Sequence, residues 1–281
     1  METDTDKISA TEISSLLKAI KEQYGYDFCN YSMAHLKRRF SSFMSKHEIA
    51  LLSELQNKIL NDRDFFSQLL MYLSVNTTEM FRDPQFYKSL TRNVFPILHT
   101  YPYLKIWHAG CSTGEEVYSM AILLKEANLY DRCQIYATDF NAIALEKAKD
   151  GIYQQDLVKT ISKNYIQSGG KFSFSNYYTE GYNSILINKD LKKNILFATH
   201  NLTVDKVFSE MNIIICRNVL IYFNTELQNH VYNLFKSSLI RGGYLCLGSK
   251  ESFKTNKLFK EFEFVDSKFR IYKYKYPLSR L

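Results

Sequence analysis

The segment Ile106–Tyr118, with the sequence IWHAGCSTGEEVY, decides the fold of the larger part of this chain. A short apolar run ends at Gly110, small residues follow, and helical spacing of apolar residues begins after Gly114. This pattern predicts a buried strand, a tight turn and a helix, with N–H groups at the helix start beside a ligand. Glu115 and Glu116 in the first helical turn disfavour a pyrophosphate and favour a ligand that carries a positive charge.

Apolar runs alternate with helical patterns from about residue 104 onward. Helices are expected at about 115–127, 141–149 and 224–240, and the strands between and around them are expected at 104–109, 133–138, 195–199, 212–216, 243–248 and 269–274. The alternation predicts an α/β domain with a mostly parallel sheet and helices on both faces. Ligands of such sheets bind at the carboxyl ends of the strands.

The preceding part of the chain has a different pattern. Residues 8–75 show helical spacing throughout, which predicts about four helices with breaks near Gly25-Tyr26, Ser45–Ile49 and Asn61-Asp62. Residues 168–194 alternate with period two and contain turn residues, so a small antiparallel β insertion is expected there. The predicted organisation is a helical domain over 1–78, a linker over 79–100 and an α/β domain over 101–281.

Composition excludes several classes of protein. The hydrophobic content of 46% and the charged content of 23% are typical of a soluble globular chain. The acidic N-terminus predicts no signal peptide, and no stretch reaches the ~18 apolar residues of a membrane span. The five cysteines form no CxxC pair, and no cluster has zinc spacing, so we expect buried thiols in a reducing cytoplasm and no metal.

The net charge of +7 is concentrated towards the C-terminal part, notably over 250–280. A solvated basic surface and attraction to an acidic partner both account for this excess.

A second strand, Tyr136–Asp139, ends in a carboxylate 25 residues after Gly114. In nucleotide-binding α/β folds an acid at this place binds the ribose hydroxyls, although Asp139 could instead cap the helix at 141–149. The residues so far leave a nicotinamide cofactor and S-adenosylmethionine open. The absence of GxGxxG spacing and the two adjacent glutamates favour S-adenosylmethionine, although helix capping alone would also explain Glu115 and Glu116.

Further motifs favour one family of S-adenosylmethionine-dependent enzymes. From about residue 10 to residue 275 the chain closely resembles the CheR family of chemotaxis receptor methyltransferases. The resemblance is carried, in the family's order, by NTTEMFRD (76–83), HAGCSTGEE (108–116), GIY (151–153), HNL (200–202), IIICRNVLIYF (213–223) and LGSKES (247–252). It implies a helical domain followed by a Rossmann-like, S-adenosylmethionine-binding domain with a small β insertion.

The resemblance also implies an activity, namely S-adenosylmethionine-dependent methylation of glutamate side chains on the cytoplasmic helices of chemoreceptors. The products are glutamate methyl esters and S-adenosylhomocysteine. By position, Arg82 would pair with the methionine carboxylate, one of Glu115 and Glu116 with the amino group, and Asp139 with the ribose. The other implied cofactor contacts are Asn76, Thr78, Asn201, Leu202, Arg217 and Asn218.

Catalysis would need little acid–base chemistry. An unperturbed glutamate carboxylate has a pKa of about 4.3 and is already ionised at neutral pH, so no general base is required. The resemblance places Tyr222 near the transferred methyl group. It also implies a catalytic role for Arg82, which would hold the cofactor by its methionine carboxylate. A chain with 21 tyrosines also leaves a purely structural role for Tyr222 open.

Substrate recognition rests on a basic run in the helical part. Lys37, Arg38 and Arg39 lie on a predicted helix, where the family uses basic residues to meet acidic receptor helices; a solvated surface is the alternative. The insertion at 168–194 matches a β-subdomain with which some members dock a receptor tail peptide, and whether this chain does so is open. Ser249-Lys250 departs from the family's usual His-Ser, so the role of that loop is also open.

The sequence therefore predicts a cytoplasmic protein-glutamate O-methyltransferase that acts on chemoreceptors, without a metal, nucleic acid or membrane insertion. Two alternatives are a regulatory protein that binds S-adenosylmethionine without methyl transfer, and a nucleic-acid methyltransferase suggested by the basic C-terminal part. The second lacks an aromatic-basic module and a base-flipping signature.

Overall fold

A computed structural model describes residues 8–74, 78–207, 209–252 and 256–276. The chain divides into two compact units. Unit 1 consists of the residues up to 76 together with 222–230, and unit 2 contains 77–221 and 231–281.

Unit 1 is helical. Its helices are α1 (Ala10–Tyr24), α2 (Met33–Lys46), α3 (Leu52–Asn61) and α4 (Arg63–Leu73). The four predicted helices and their breaks are confirmed. Helix α1 begins at a capping box, in which the Ser9 hydroxyl accepts a hydrogen bond from the Glu12 N–H and the Glu12 carboxylate accepts one from the Ser9 N–H. The apolar positions of each helix are buried against the other helices of the unit.

Unit 2 is an α/β unit, and its elements follow in chain order. They are α5 (Pro84–Asn93), α6 (Phe95–Leu98), β1 (Leu104–Ala109), α7 (Glu115–Glu126), β2 (Cys133–Asp139), α8 (Ala142–Asp150), β3 (Ile152–Gln154), α9 (Val158–Gln167), β4 (Tyr178–Gly181), β5 (Ser184–Ile187), β6 (Ile195–Thr199), β7 (Met211–Cys216), α10 (Thr225–Ser238), β8 (Leu239–Leu247), β9 (Phe262–Asp266) and β10 (Ile271–Tyr274). Of α10, the residues from 231 onward belong to unit 2. Residues 79–100, expected as a linker, thus contain two helices.

The large sheet has seven strands in the order β6-β2-β1-β7-β8-β10-β9. All neighbouring strands from β6 to β8 are parallel, and β10 runs antiparallel to both β8 and β9. The mostly parallel sheet is therefore confirmed. The chain order reverses between β1 and β7, and this reversal marks the carboxyl ends of these strands as the place for a ligand.

The small antiparallel sheet is also confirmed, although its first strand lies earlier than predicted. Its order is β3-β5-β4, so two strands fall within 168–194 and the third is Ile152–Gln154. Strand β3 has only three residues, which is too short for a period-two pattern to be recognised. Strand β9 was also missing from the predicted strands; it forms the edge of the large sheet.

A lysine side chain ties the end of α8 to the segment after the small sheet. Lys192 Nζ donates hydrogen bonds to the carbonyl oxygens of Lys149 at 3.2 Å and Asp150 at 2.5 Å. Gly151 then ends α8 in the left-handed conformation, with φ 58°. The ammonium group thus satisfies carbonyls that have no partner within the helix and lies at the negative end of the helix dipole.

We expect Lys192→Met to lower the free energy of unfolding by about 1 kcal/mol, because the methionine keeps the apolar stem but loses the hydrogen bonds and the charge. Urea unfolding followed by circular dichroism measures the change. Lys147→Met, at an exposed lysine of the same last helical turn, is the matched control. Equal effects of the two substitutions would contradict the capping role of Lys192.

Candidate cofactor site

The turn after β1 depends on two glycines in the left-handed backbone region. Gly110 has φ +80° and Gly114 has φ +91°. A Cβ atom on Gly110 would lie 2.6 Å from Val219 Cγ2, and one on Gly114 would lie 2.9 Å from the Cβ of Ala148. Both the backbone conformation and the close packing therefore require glycine, and the turn brings the start of α7 against the ends of the neighbouring strands.

Asp139 joins this turn to the end of β2. Its carboxylate is 7% exposed and accepts hydrogen bonds from the N–H groups of Ser112 at 2.8 Å and Asn141 at 2.9 Å. Burial raises the pKa of Asp139, although the backbone N–H donors oppose this. The cap of α8 is Asn141, whose side chain accepts from two N–H groups of the first turn, so capping by Asp139 is not what the structure shows. The carboxylate instead fixes the turn at the predicted ribose position.

The adjacent glutamates Glu115 and Glu116 have different partners. Glu116 Oε1 lies 3.2 Å from His108 Nδ1, and Glu116 Oε2 accepts a hydrogen bond from Arg217 Nη1 at 2.9 Å. Although burial opposes it, the hydrogen bond of His108 and the charge of Arg217 lower the pKa of Glu116.

Glu115 has a hydroxyl partner rather than a basic one. The Thr113 hydroxyl donates to Glu115 Oε2 at 2.7 Å, and the described residues include no ion pair of this carboxylate. Burial raises the pKa of Glu115 to about 7, and the bond from Thr113 only partly offsets this rise. A partly buried carboxylate of this kind would gain from a cationic ligand, which supplies the counter-charge that the protein lacks there.

Arg217 follows β7 and is enclosed by several groups of unit 2. Its side chain is 2% exposed. Arg217 Nη2 pairs with Asp83 Oδ2 at 2.6 Å, and the guanidinium lies 4.1 Å from the ring centre of Phe86. The charges of the carboxylates outweigh the effect of burial and raise the pKa of Arg217. The predicted cofactor residues Arg217 and Glu116 are thus brought into direct contact with each other.

The segment before α5 has two strained residues. Phe81 and Asp83 are both at φ 56°, a region that residues other than glycine seldom adopt. The Phe81 N–H donates to the Ser119 hydroxyl at 2.8 Å, and this hydroxyl donates to the Glu115 carbonyl at 2.7 Å. Arg82, between the strained residues, is therefore anchored beside the start of α7.

Two more of the predicted cofactor residues lie close to Arg82 in the sequence. Thr78 is partly buried. Asn76 lies outside the described residues.

The ends of β6 and β7 supply the other predicted residues. The backbone N–H of His200, the residue before Asn201, donates to the Asp139 carbonyl at 3.1 Å. The Asn201 side chain accepts from the Thr203 N–H and hydroxyl, and Leu202 is 6% exposed. Both residues therefore lie at the same sheet edge as Asp139.

Sequence reasoning missed Glu251. This carboxylate is 3% exposed and accepts four backbone N–H groups, which belong to Asn218 at 3.0 Å, Val219 at 2.8 Å, Leu220 at 2.7 Å and Gly248 at 2.6 Å. It fixes the turn after β7, in which Asn218 has φ 62°. The available signal was the LGSKES motif, but an acid within a loop does not reveal that its partners are main-chain groups of another loop.

Tyr222 and the basic run belong to unit 1. The Tyr222 carbonyl accepts from the Ser32 N–H at 2.8 Å, and its ring centre is 4.5 Å from that of His35. Burial, with Arg39 and Arg38 nearby, lowers the pKa of His35 to about 4, so this ring is neutral at pH 7.

The three basic residues have unequal surroundings. Arg39 donates to the carbonyl of Tyr72 and lies 4.1 Å from the centre of its ring. Lys37 is partly buried and Arg38 is exposed. Arg39 is thus engaged within the helical unit, and Arg38 is the most accessible of the three. Their predicted role and that of Tyr222 remain predictions.

The described residues lack two kinds of feature. They contain no group of three or more His, Cys, Asp and Glu side chains that could hold a metal ion. No helix within 8–74, 78–207, 209–252 and 256–276 combines the length and the apolar character that crossing a bilayer requires.

Two family models match most of the chain. The family model described as "CheR methyltransferase, SAM binding domain" matches residues 76–269, and "CheR methyltransferase, all-alpha domain" matches residues 11–74. A solved structure described as "StiE O-MT residues 961-1257" shows a loose likeness, with a TM-score of 0.40 and 15% identity over 65% of this chain and 52% of that one.

Curated relatives are considerably more similar. "Putative methyltransferase Cher3" of Pseudomonas putida is 47% identical over 86% of this chain and 88% of its own length. A "Chemotaxis protein methyltransferase" of Borreliella burgdorferi is 30% identical over 89% of this chain and 91% of its own. The chain belongs to the CheR family of S-adenosylmethionine-dependent chemotaxis methyltransferases.

Proposed function

We propose that this protein transfers a methyl group from S-adenosylmethionine to glutamate side chains on the cytoplasmic helices of chemoreceptors. The observation that carries the proposal is the partly buried carboxylate of Glu115, which lies beside the glycine turn without a cationic partner among the described residues. A donor with an ammonium group and a positive sulfur fits that environment better than a pyrophosphate does. Membership of the CheR family supports the choice of glutamate as the acceptor.

Different residues at the sheet edge would contact different groups of the donor. Asp139 would accept the ribose hydroxyls, because each of its oxygens has a further lone pair beside its bond to a backbone N–H. Arg82 would pair with the methionine carboxylate, a bidentate task suited to guanidinium. The other proposed contacts are Asn76, Thr78, Asn201, Leu202 and Asn218.

The partners of the two glutamates distinguish their proposed roles. Glu116 is already neutralised by Arg217, whereas Glu115 is not paired with a basic side chain among the described residues. We therefore assign the donor's amino group to Glu115. Glu116 keeps a structural role.

When bound, S-adenosylmethionine supplies a methyl group that is activated by the positive sulfur. The protein then has to align the acceptor carboxylate with this methyl group and remove water from it. No side chain has to take up a proton, because the acceptor is already ionised. Tyr222 is the residue proposed to act at the reacting groups, as the family motif implies, and Arg82 would contribute to catalysis by holding the donor through its carboxylate.

Labelling with methyl-tritiated S-adenosylmethionine and receptor-containing membranes tests the reaction. We expect label on the receptor that mild alkali releases as volatile methanol, since only an ester is cleaved in this way. Membranes from cells without receptors are the control. Alkali-stable label, label on nucleic acid, or no label at all would contradict the proposed function.

The role of Glu115 predicts a dependence of donor affinity on pH. Since the pKa of Glu115 is about 7 without a ligand, a larger fraction is ionised as the pH rises, and affinity for the cationic donor should rise with it. We expect roughly fivefold tighter binding at pH 7 than at pH 6, measured by calorimetry. Glu115→Gln should bind more weakly and lose this dependence.

Glu146→Gln, at an exposed glutamate of α8, is the control for a general effect of losing one carboxylate. An unchanged pH dependence in Glu115→Gln would remove this residue from the donor's amino end.

Receptor recognition is tested with the accessible basic residues. Lys37→Ala with Arg38→Ala should slow receptor methylation about fivefold and leave donor affinity unchanged, because charges that solvent can reach, wholly in Arg38 and partly in Lys37, mainly affect the encounter with an acidic partner. Arg39 is left intact, since it holds Tyr72. Lys18→Ala, at an exposed lysine of α1, is the control. An unaltered rate would favour a merely solvated surface.

A further inference from the structure

Arg217 belongs to a family motif, yet its own contacts occupy the ends of its guanidinium group. Nη2 is paired with Asp83 at 2.6 Å, and Nη1 donates to Glu116 at 2.9 Å. The face of the group lies 4.1 Å from the ring centre of Phe86, and the side chain is 2% exposed. Since both terminal nitrogens are paired with protein carboxylates and the side chain is 2% exposed, little of the guanidinium is open to a ligand carboxylate.

The same guanidinium holds the segment that carries Arg82. Arg217 Nη2 donates to the Asp83 side chain, and Arg217 Nη1 donates to the Arg82 carbonyl at 3.5 Å. On the other side, the Phe81 N–H is bound to Ser119 of α7. Arg82 is thus fixed between two anchored neighbours.

These contacts hold the backbone in a strained conformation. Phe81 and Asp83 are both at φ 56°, and such residues keep this conformation only where the surroundings impose it. The direction in which the Arg82 side chain leaves the backbone therefore depends on the ion pair between Arg217 and Asp83.

We infer that Arg217 is a positioning residue, which fixes the Arg82–Asp83 segment so that Arg82 meets the carboxylate of the methyl donor. Arg217 itself does not contact the donor through its guanidinium. The inference rests on the proposed function, which assigns Arg82 to that carboxylate. If Arg217 has this role, the preference of the protein for donors with a carboxylate depends on the Arg217–Asp83 ion pair as well as on Arg82.

The test compares S-adenosylmethionine with decarboxylated S-adenosylmethionine, which keeps the amine and the sulfonium. Calorimetry on the full chain gives the ratio of the two affinities for the wild type, Arg82→Met, Arg217→Met and Asp83→Asn. Asparagine tolerates the left-handed conformation of position 83 and keeps the shape of the side chain, so Asp83→Asn gives a result even if Arg217→Met does not fold. Arg241→Met is the control, because Arg241 also lies over an aromatic ring, that of Tyr274, and donates to a carbonyl.

We expect Asp83→Asn and Arg217→Met to weaken binding of S-adenosylmethionine about tenfold, with little change for the decarboxylated donor. Adding Arg82→Met to Asp83→Asn should cause little further loss, because both changes remove the same interaction. Arg241→Met should bind both donors as the wild type does.

Three other outcomes would overturn the inference; two of them leave the proposed function standing, and the third does not. If Arg82→Met loses the preference for the carboxylate while Asp83→Asn and Arg217→Met keep it, the positioning role is wrong and the proposed function stands. If Arg217→Met and Asp83→Asn weaken the binding of both donors equally, the positioning role is likewise wrong and the proposed function stands. If Arg82→Met itself weakens both donors equally, the assignment of Arg82 under the proposed function fails, and the inference fails with it.

Discussion

The ion pairs of Arg217 connect three segments that are far apart in the sequence. Asp83 lies 134 residues before Arg217 and Glu116 lies 101 residues before it, yet both carboxylates contact one guanidinium. Because the Arg217 side chain is 2% exposed, loss of a carboxylate partner would leave its charge unpaired away from water, which is unfavourable. The end of β7, the start of α7 and the segment before α5 are therefore held in one arrangement, on which the geometry of the strand ends depends.

This network also explains why two adjacent glutamates differ. Both stand in the first turn of α7, where the helix dipole favours negative charge. Successive helical residues point about 100° apart, so Glu116 faces Arg217 and His108, while Glu115 faces Thr113. A pair that looks redundant in the sequence thus provides one internal counter-ion and one carboxylate whose pKa is raised to about 7 by burial.

Much of the fold could be predicted because its elements have strong patterns. Strands β1 and β6 have the predicted bounds, and the helices of unit 1 end where turn residues interrupt the helical spacing. The missed strands β3 and β9 are short or lie at an edge, where alternation is weak. Asp139 and the glycine turn could be located because parallel strands share their carboxyl edge.

The partners of the site residues were beyond sequence reasoning. Nothing in the order of residues shows that Arg217 faces Glu116 rather than a ligand, or that Asn141 rather than Asp139 caps α8. Such choices depend on distances between segments that only the packed sheet brings together. For the same reason the four N–H groups that bind Glu251 could not be foreseen.

The Glu251 carboxylate separates the residues that shape this loop from those that only form its surface. Between Gly248 and Glu251, which form the clamp on the turn after β7, stand Ser249 and Lys250, and both are exposed. The departure from the family's usual His-Ser thus falls on two positions outside the clamp. A change of either exposed residue would therefore alter the surface of this loop without touching the carboxylate clamp that shapes the turn.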